Sequence, residues 1–224
     1  MTFLDRLGEI FPGYEGYANL ARGGYTEAEF DAVKPDGRVY DLPIGPVSRM
    51  VSLEVRGRAA RFSLPEGWAE RGSAELEGMR ELEPLSDQTT LHWGMYREGV
   101  PREAIYSMSV YSFMRSEARP TGFMAQPHIE QWPLKMARDT GLKIVAPIRI
   151  VRFGGGTGYY WDLSGTMPGF MLNRPHQPVL QLHSIEMWAP MRGDTIVRLL
   201  GVAPFESAES MARDFNTVIA SWRW

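Results

Sequence analysis

The sequence predicts an α+β fold: an antiparallel β-sheet flanked by helices and entered through an N-terminal helical arm. Three observations carry that expectation. From residue 47 the apolar pattern repeats every second residue in one short segment after another, the signature of strands with one buried and one wetter face. Near the end, apolar residues at Ala208, Met211, Ala212, Phe215, Val218, Ile219 and Trp222 trace one face of a helix. The first 46 residues show neither long pattern; they hold short helical stretches broken by turn residues.

In the arm (1–46), Thr2 can cap a short helix whose stripe is Phe3, Leu4, Leu7, Ile10 and Phe11, stopped by Pro12-Gly13. Thr26 and Glu29 have capping-box spacing, which predicts a second helix to Val33. VKPDGRVYDLPIGP is then rich in turn residues. The apolar stripe of the first helix needs a surface, either on its own domain or on a partner.

In the main domain (47–224), MVSLEVRGRAARFSLP reads as two strands joined by a tight turn near Gly57. TTLHWGMYRE sets Leu91, Trp93 and Met95 against Thr90, His92 and Tyr96. AIYSMSVYSF sets Tyr106, Met108 and Val110 against Ser107 and Ser109. HIEQWPLKMARDTG, 128 to 141, reads as a helix around Pro133 with Gly141 as its C-cap. KIVAPIRIVRF, GYYWDLSGTM, VLQLHSIEMWAP and TIVRLLGVAP are four more strands. The last helix spans about 207 to 222 with Ser207 as N-cap.

Composition narrows the function. The net charge is −3 with no block of like charge, so the basic footprint of a DNA- or RNA-binding surface is lacking. There is no cysteine, which rules out disulfides, thiolate metal sites and a cysteine nucleophile. MTFLDRLGEIFPGYEG carries Asp5 and Glu9 where a secretory signal would be apolar, and no window suits a membrane span. The expected location is cytoplasmic.

VRFGGGTGYYWDLSG resembles a phosphate loop only at first sight. Such a loop needs a helix after its glycines, with free N–H groups aimed at the anion. Here Tyr159, Tyr160 and Trp161 continue as a strand, and no Gly-Lys-Ser/Thr ending follows. Gly154 to Gly158 is therefore expected to be a hairpin loop, and no cofactor is called for.

Two stretches carry a family resemblance. They are RFSLPEGWAE, residues 61 to 70, and the closing unit 195 to 222, in which TIVRLLGVAP precedes an amphipathic helix ending in IASW. Together they resemble the PsbP-like family, which includes an extrinsic photosystem II subunit, a Ran-binding nuclear import factor, and bacterial relatives that include chaperones of type VI secretion effectors. The resemblance spans about residues 47 to 224 in order of elements. It implies an α/β/α sandwich and a domain that binds proteins rather than one carrying catalytic residues. No functional motif of the family matches here, so no site residue is transferred.

Candidate chemistry is sparse. His92, His128, His176 and His183 lack metal-pair spacing, and no G-x-S-x-G elbow is present. Glu75, Glu77, Glu81 and Glu83 read as a solvated acidic face. What stands out is the loop TMPGFMLNRPHQP, 166 to 178, with Met167, Phe170, Met171 and Leu172 between prolines. Exposed, it would be an adaptable apolar contact surface; folded back, it would cover the sheet.

The leading expectation is thus a non-enzymatic, chaperone-like protein-binding domain that holds an apolar segment of a partner through this loop or a sheet face. A second is a small-molecule-binding protein or enzyme with a pocket on the sheet face around His92, Tyr96, Tyr160, Asp162 and His183. A third is a structural subunit of a larger assembly, docked through residues 1 to 46. Homo-oligomerisation is compatible with each.

Overall fold

The computed structural model describes residues 24–82, 89–100, 105–114, 131–168, 179–191 and 195–224. The arm helix expected at 3–11, His128, His176, Glu83 and the loop residues Phe170, Met171 and Leu172 lie outside them.

The architecture is mixed α+β, a large sheet flanked by four helices. Helix α1 (Glu27–Val33) starts from the expected capping box: the Thr26 side chain accepts from the Glu29 backbone, and the Glu29 carboxylate accepts from the Thr26 N–H at 2.7 Å. Strand β1 (Val39–Tyr40) follows, then the hairpin β2 (Val47–Val55) and β3 (Arg58–Pro65). Arg56 and Gly57 form its two-residue turn with φ of 50° and 75°, the left-handed pair that matches strand twist. After β4 (Trp68–Glu70), helix α2 (Ser73–Leu82), β5 (Thr90–Arg97) and β6 (Ser107–Met114) comes α3 (Gln131–Thr140). Pro133 sits in the first turn of α3, where a missing N–H costs nothing, and Gly141 ends it at φ 75°.

The segment 143–153 was expected to be one strand. It is two, β7 (Lys143–Ile144) and β8 (Arg149–Phe153), separated by a bend before Pro147, which cannot donate to a ladder. Strands β9 (Gly156–Pro168), β10 (Val179–Pro190) and β11 (Thr195–Pro204) complete the sheet. A 3-10 turn (Phe205–Ser207) leads into α4 (Ala208–Ser221). That turn corrects the expected cap: Ser207 makes no side-chain cap bond, because the preceding turn already feeds α4.

Among the described residues, the main sheet has nine strands in the order β1-β8-β9-β10-β11-β6-β5-β4, with β7 beside β9; β2 and β3 form a separate two-stranded ribbon. β1 joins β8 in parallel, whereas the other described pairs are antiparallel. On the near face, α4 and the ribbon bury one core that includes Phe62, Trp93, Met95, Tyr160, Met187, Phe215 and Trp222. On the far face, α3 closes over Trp161, Leu163, Leu182 and Trp188, while Leu76 of α2 reaches the sheet at Gly94. The described part of the arm packs on this body. Tyr25 and Val33 cluster with Leu134 of α3, and the Arg138 guanidinium lies 3.9 Å from the Tyr25 ring centroid.

Two-sided cover corrects the expectation of one wet face. Central β6 and β10 are buried almost throughout on both faces, Ser109 and Ser112 included. A second correction concerns β5. Leu91 pairs with Tyr111 but Trp93 pairs with Val110, so a bulge at His92 absorbs one residue and turns Leu91 and Trp93 to opposite faces.

Charges buried by this cover are paired. Glu186, fully buried on the far face, accepts two bonds from Arg198 at 2.8 and 2.9 Å and one from the Trp188 indole at 2.8 Å. Asp214 of α4 accepts from the Trp68 indole at 2.8 Å and from Arg97 at 3.2 Å. The LPEGW turn therefore anchors its tryptophan to the last helix. Beyond α4, Arg223 exchanges two backbone bonds with Arg61 of β3 at 2.7 and 2.8 Å. The Trp222 ring stacks on Phe62 at 5.2 Å.

Candidate functional site

Strands β9 and β10 stay in register from Tyr159 opposite Trp188 out to Pro168 opposite Val179. Residues 169 to 178 are thus carried between two paired strand ends. Thr166, Met167 and Pro168 belong to β9 rather than to the loop. Met167 is buried in the far-face cluster with Leu182 and Trp161, so it offers no contact surface. The alternation of β9 decides this: Trp161, Leu163 and Met167 share the far face, whereas Tyr160, Asp162, Ser164 and Thr166 share the near one.

Along that near face, the cover given by the described residues runs out. Tyr160 and Ile185 lie in the core under α4, whereas Thr166, Gln181 and Val179, further along β9 and β10, are exposed. Val179 keeps 60% of its surface and Phe205, just after the end of β11, keeps 51%. Val145, whose N–H donates to the Asp162 carbonyl at 3.0 Å, is also exposed. Among the described residues, this end of the sheet is a shelf edged by exposed large apolar side chains; the segment with Phe170, Met171 and Leu172 follows β9 in sequence.

Where the shelf meets the core lies a polar group. Asp162 and His183 stand on the adjacent strands β9 and β10, and Tyr160 lies two residues back on β9. Arg149 of β8, opposite Tyr160, places its guanidinium 4.3 Å from the Tyr160 ring centroid and 3.6 Å from Asp162 Oδ1. The Tyr160 hydroxyl and Asp162 Oδ1 are buried and make no hydrogen bond with the described residues. Burial pushes the Asp162 carboxyl up, opposed by the charges of Arg149 and His183. Burial pulls His183 down, opposed by Asp162, and drives the Tyr160 phenol up. The cluster thus favours neutral forms and offers donors and acceptors to a small polar group.

Two of the expected pocket residues stand elsewhere. Tyr96 pairs with Ser107 on the far face, where Arg71 lies over its ring. His92 shares the near face but is three strands from His183, roughly 14 Å across the sheet. Its neighbour Ser112 pairs with Val197 and His183 with Ala203, so they sit at opposite ends of β11. His92 Nε2 lies 2.7 Å from Ser112 Oγ, a nucleophile–base distance. Ser112 has no exposed surface, however, and its oxygen already accepts from Arg56 Nε at 2.9 Å. As folded, the pair holds the hairpin rather than facing a substrate. Among the described residues, no three His, Asp or Glu side chains group as metal ligands.

Sequence reasoning missed Arg149, Val179 and Phe205. Arg149 shows itself only once β8 is paired with β9. Val179 and Phe205 read as ordinary strand-end apolar residues until the extent of the cover is known.

No family model matches the chain, and no curated protein does. Solved structures resemble it at low identity. Cyanobacterial PsbP (CyanoP) from Synechocystis has 11% identity and a TM-score of 0.44, over 81% of this chain and 96% of that one. LpqN of Mycobacterium tuberculosis, described as involved in cell envelope biogenesis, has 10% identity and a TM-score of 0.42, over 79% and 91%. A Bacteroides thetaiotaomicron protein has 13% identity and a TM-score of 0.36, over 73% of this chain and 44% of that one.

Proposed function

We propose that this domain binds a protein partner, taking an apolar segment onto the shelf at the end of β9 and β10, with no chemistry of its own. One observation carries the reading: Val179 and Phe205 are exposed at an end of the near face that no described residue covers, and the sequence between β9 and β10 holds Phe170, Met171 and Leu172. Methionine and phenylalanine adapt to varied apolar partners, and a paired sheet supplies a rigid base. The likeness of RFSLPEGWAE and the closing strand–helix unit to a family of mostly protein-binding domains supports the same reading. A photo-crosslinking residue at Phe205, in protein expressed in its own host, should trap one polypeptide in stoichiometric yield. Phe170→Asp with Met171→Asp should abolish that crosslink while the fold survives. An unchanged crosslink would remove the loop from the site.

A second reading rests on the buried Asp162 Oδ1 and Tyr160 hydroxyl, which face Arg149 and keep hydrogen-bonding capacity to spare. It takes a small polar ligand at Arg149, Tyr160, Asp162 and His183. Native mass spectrometry separates the two: extra small-molecule mass favours the ligand, whereas a second chain favours the partner.

A further inference from the structure

Among the described residues the β2–β3 ribbon shares no ladder with the main sheet, so side chains, packing and the Arg61–Arg223 backbone pair hold it there. At its tip, beside buried Val55 and Ala60, a polar contact also joins it to the sheet. Arg56, held at φ 50°, donates from Nε to Ser112 Oγ at 2.9 Å. His92, displaced by the β5 bulge, places Nε2 2.7 Å from the same oxygen. Ser112 Oγ, itself without exposed surface, therefore joins an exposed ribbon residue to a half-buried sheet residue.

The chain of bonds has a direction. With the Glu54 backbone bonding the other ring nitrogen, the neutral ring carries its proton on Nδ1, and the Ser112 hydroxyl, accepting from Arg56, donates to His92 Nε2. Protonating Nε2 turns this bond round. Two cationic donors then converge on one oxygen, and the serine proton loses its acceptor in a buried place. The charged groups that reach the ring are Arg56 from the ribbon and Arg80 from α2, both positive, while the Glu54 backbone bonds the ring. Arg80 is itself held near by two bonds to the Leu91 carbonyl, at 3.1 and 2.6 Å.

We propose that Arg56, Ser112 and His92 form a proton-released latch: closed with His92 neutral, it opens in acid and frees the tip of the β2–β3 ribbon from the sheet. Burial, then Arg56 and Arg80, bring His92 down to about 4. A lowered histidine holds its stabilisation above the ordinary value near 6.5 and loses it as pH falls from there toward 4. The release window is therefore mildly acidic, between those values.

The test uses the full chain and hydrogen exchange read by mass spectrometry, corrected for intrinsic rates. Between pH 7 and pH 4, protection of amides 52 to 60 should fall by at least about tenfold while α4 keeps its own. In His92→Gln, which retains an acceptor but no titration, tip protection should stay level. Flat protection in the native chain, or an equal fall in His92→Gln, overturns the latch. Should His92→Gln not fold, the imidazole signal of His92 in the native chain decides. Titration below about pH 5 supports the latch, and titration near 6.5 defeats it.

Discussion

Gly154 and Trp224 compete for the same space: a Cβ built on Gly154 would lie 2.3 Å from the Trp224 indole nitrogen. The glycine run is thus the β8–β9 turn, with Gly154 and Gly155 at φ 54° and 84°, and also the floor for the closing tryptophans. Gly154→Ala combines backbone strain with a clash and should destabilise by roughly 2–3 kcal/mol in urea unfolding. On a Trp224→Ala background, where that clash is gone and a tight 3.2 Å contact with Trp222 stays, about 1 kcal/mol should remain, most of it backbone strain. Equal costs on both backgrounds would mean the indole exerts no pressure.

Glu186 is a buried charge held by Arg198 and Trp188. Glu186→Gln leaves Arg198 without its bidentate partner and should cost about 3 kcal/mol. Replacing both by leucine should recover most of that loss. Thermal unfolding of the two variants checks the pair, and a double variant as weak as the single one would count against it.

Asp162 gives a pH prediction with the sign opposite to most carboxylates. Its folded value is raised, chiefly by burial. The folded protein therefore loses stability as pH rises from the ordinary 3.8 through the raised value. Asp162→Asn removes the titration, so its melting temperature should gain on the native protein at pH 7, and the gain should vanish near pH 3. A gain independent of pH would show that the carboxyl is not the cause.

Phe205 is half exposed, so Phe205→Asp should change stability by no more than about 0.5 kcal/mol. Partner binding, measured by calorimetry with the trapped polypeptide, should weaken by tenfold or more if the side chain is an anchor. Unchanged affinity would move the site away from the end of β11.

Much of the fold was legible because its signals are local. The stripe from Met211 to Trp222, the Thr26–Glu29 box and the Arg56-Gly57 turn need only their neighbours to be read. The bulge at His92 left the apolar alternation of TLHWGMYR intact, so nothing in it betrayed that Leu91 and Trp93 part company. Helix α2 was overlooked because its glutamates read as a charged surface, though Leu76 and Met79 have helical spacing. At the candidate site, Tyr160 and Asp162 could be placed on one face from their spacing alone, but Arg149 joins them only through strand pairing, and cover is a property of the whole sheet.

The double backbone bond between Arg61 and Arg223 has a consequence for synthesis. A chain emerging from the ribosome N-terminus first will have made β3 long before the residues that clamp it. Phe62 has no Trp222 to stack on until α4 has emerged, so the near-face core stays open while β4 to β11 are made. Until then the ribbon and the sheet face are bare apolar surface. From where one tryptophan sits, it follows that this core closes late in the making of the domain, after every described strand of the sheet has emerged.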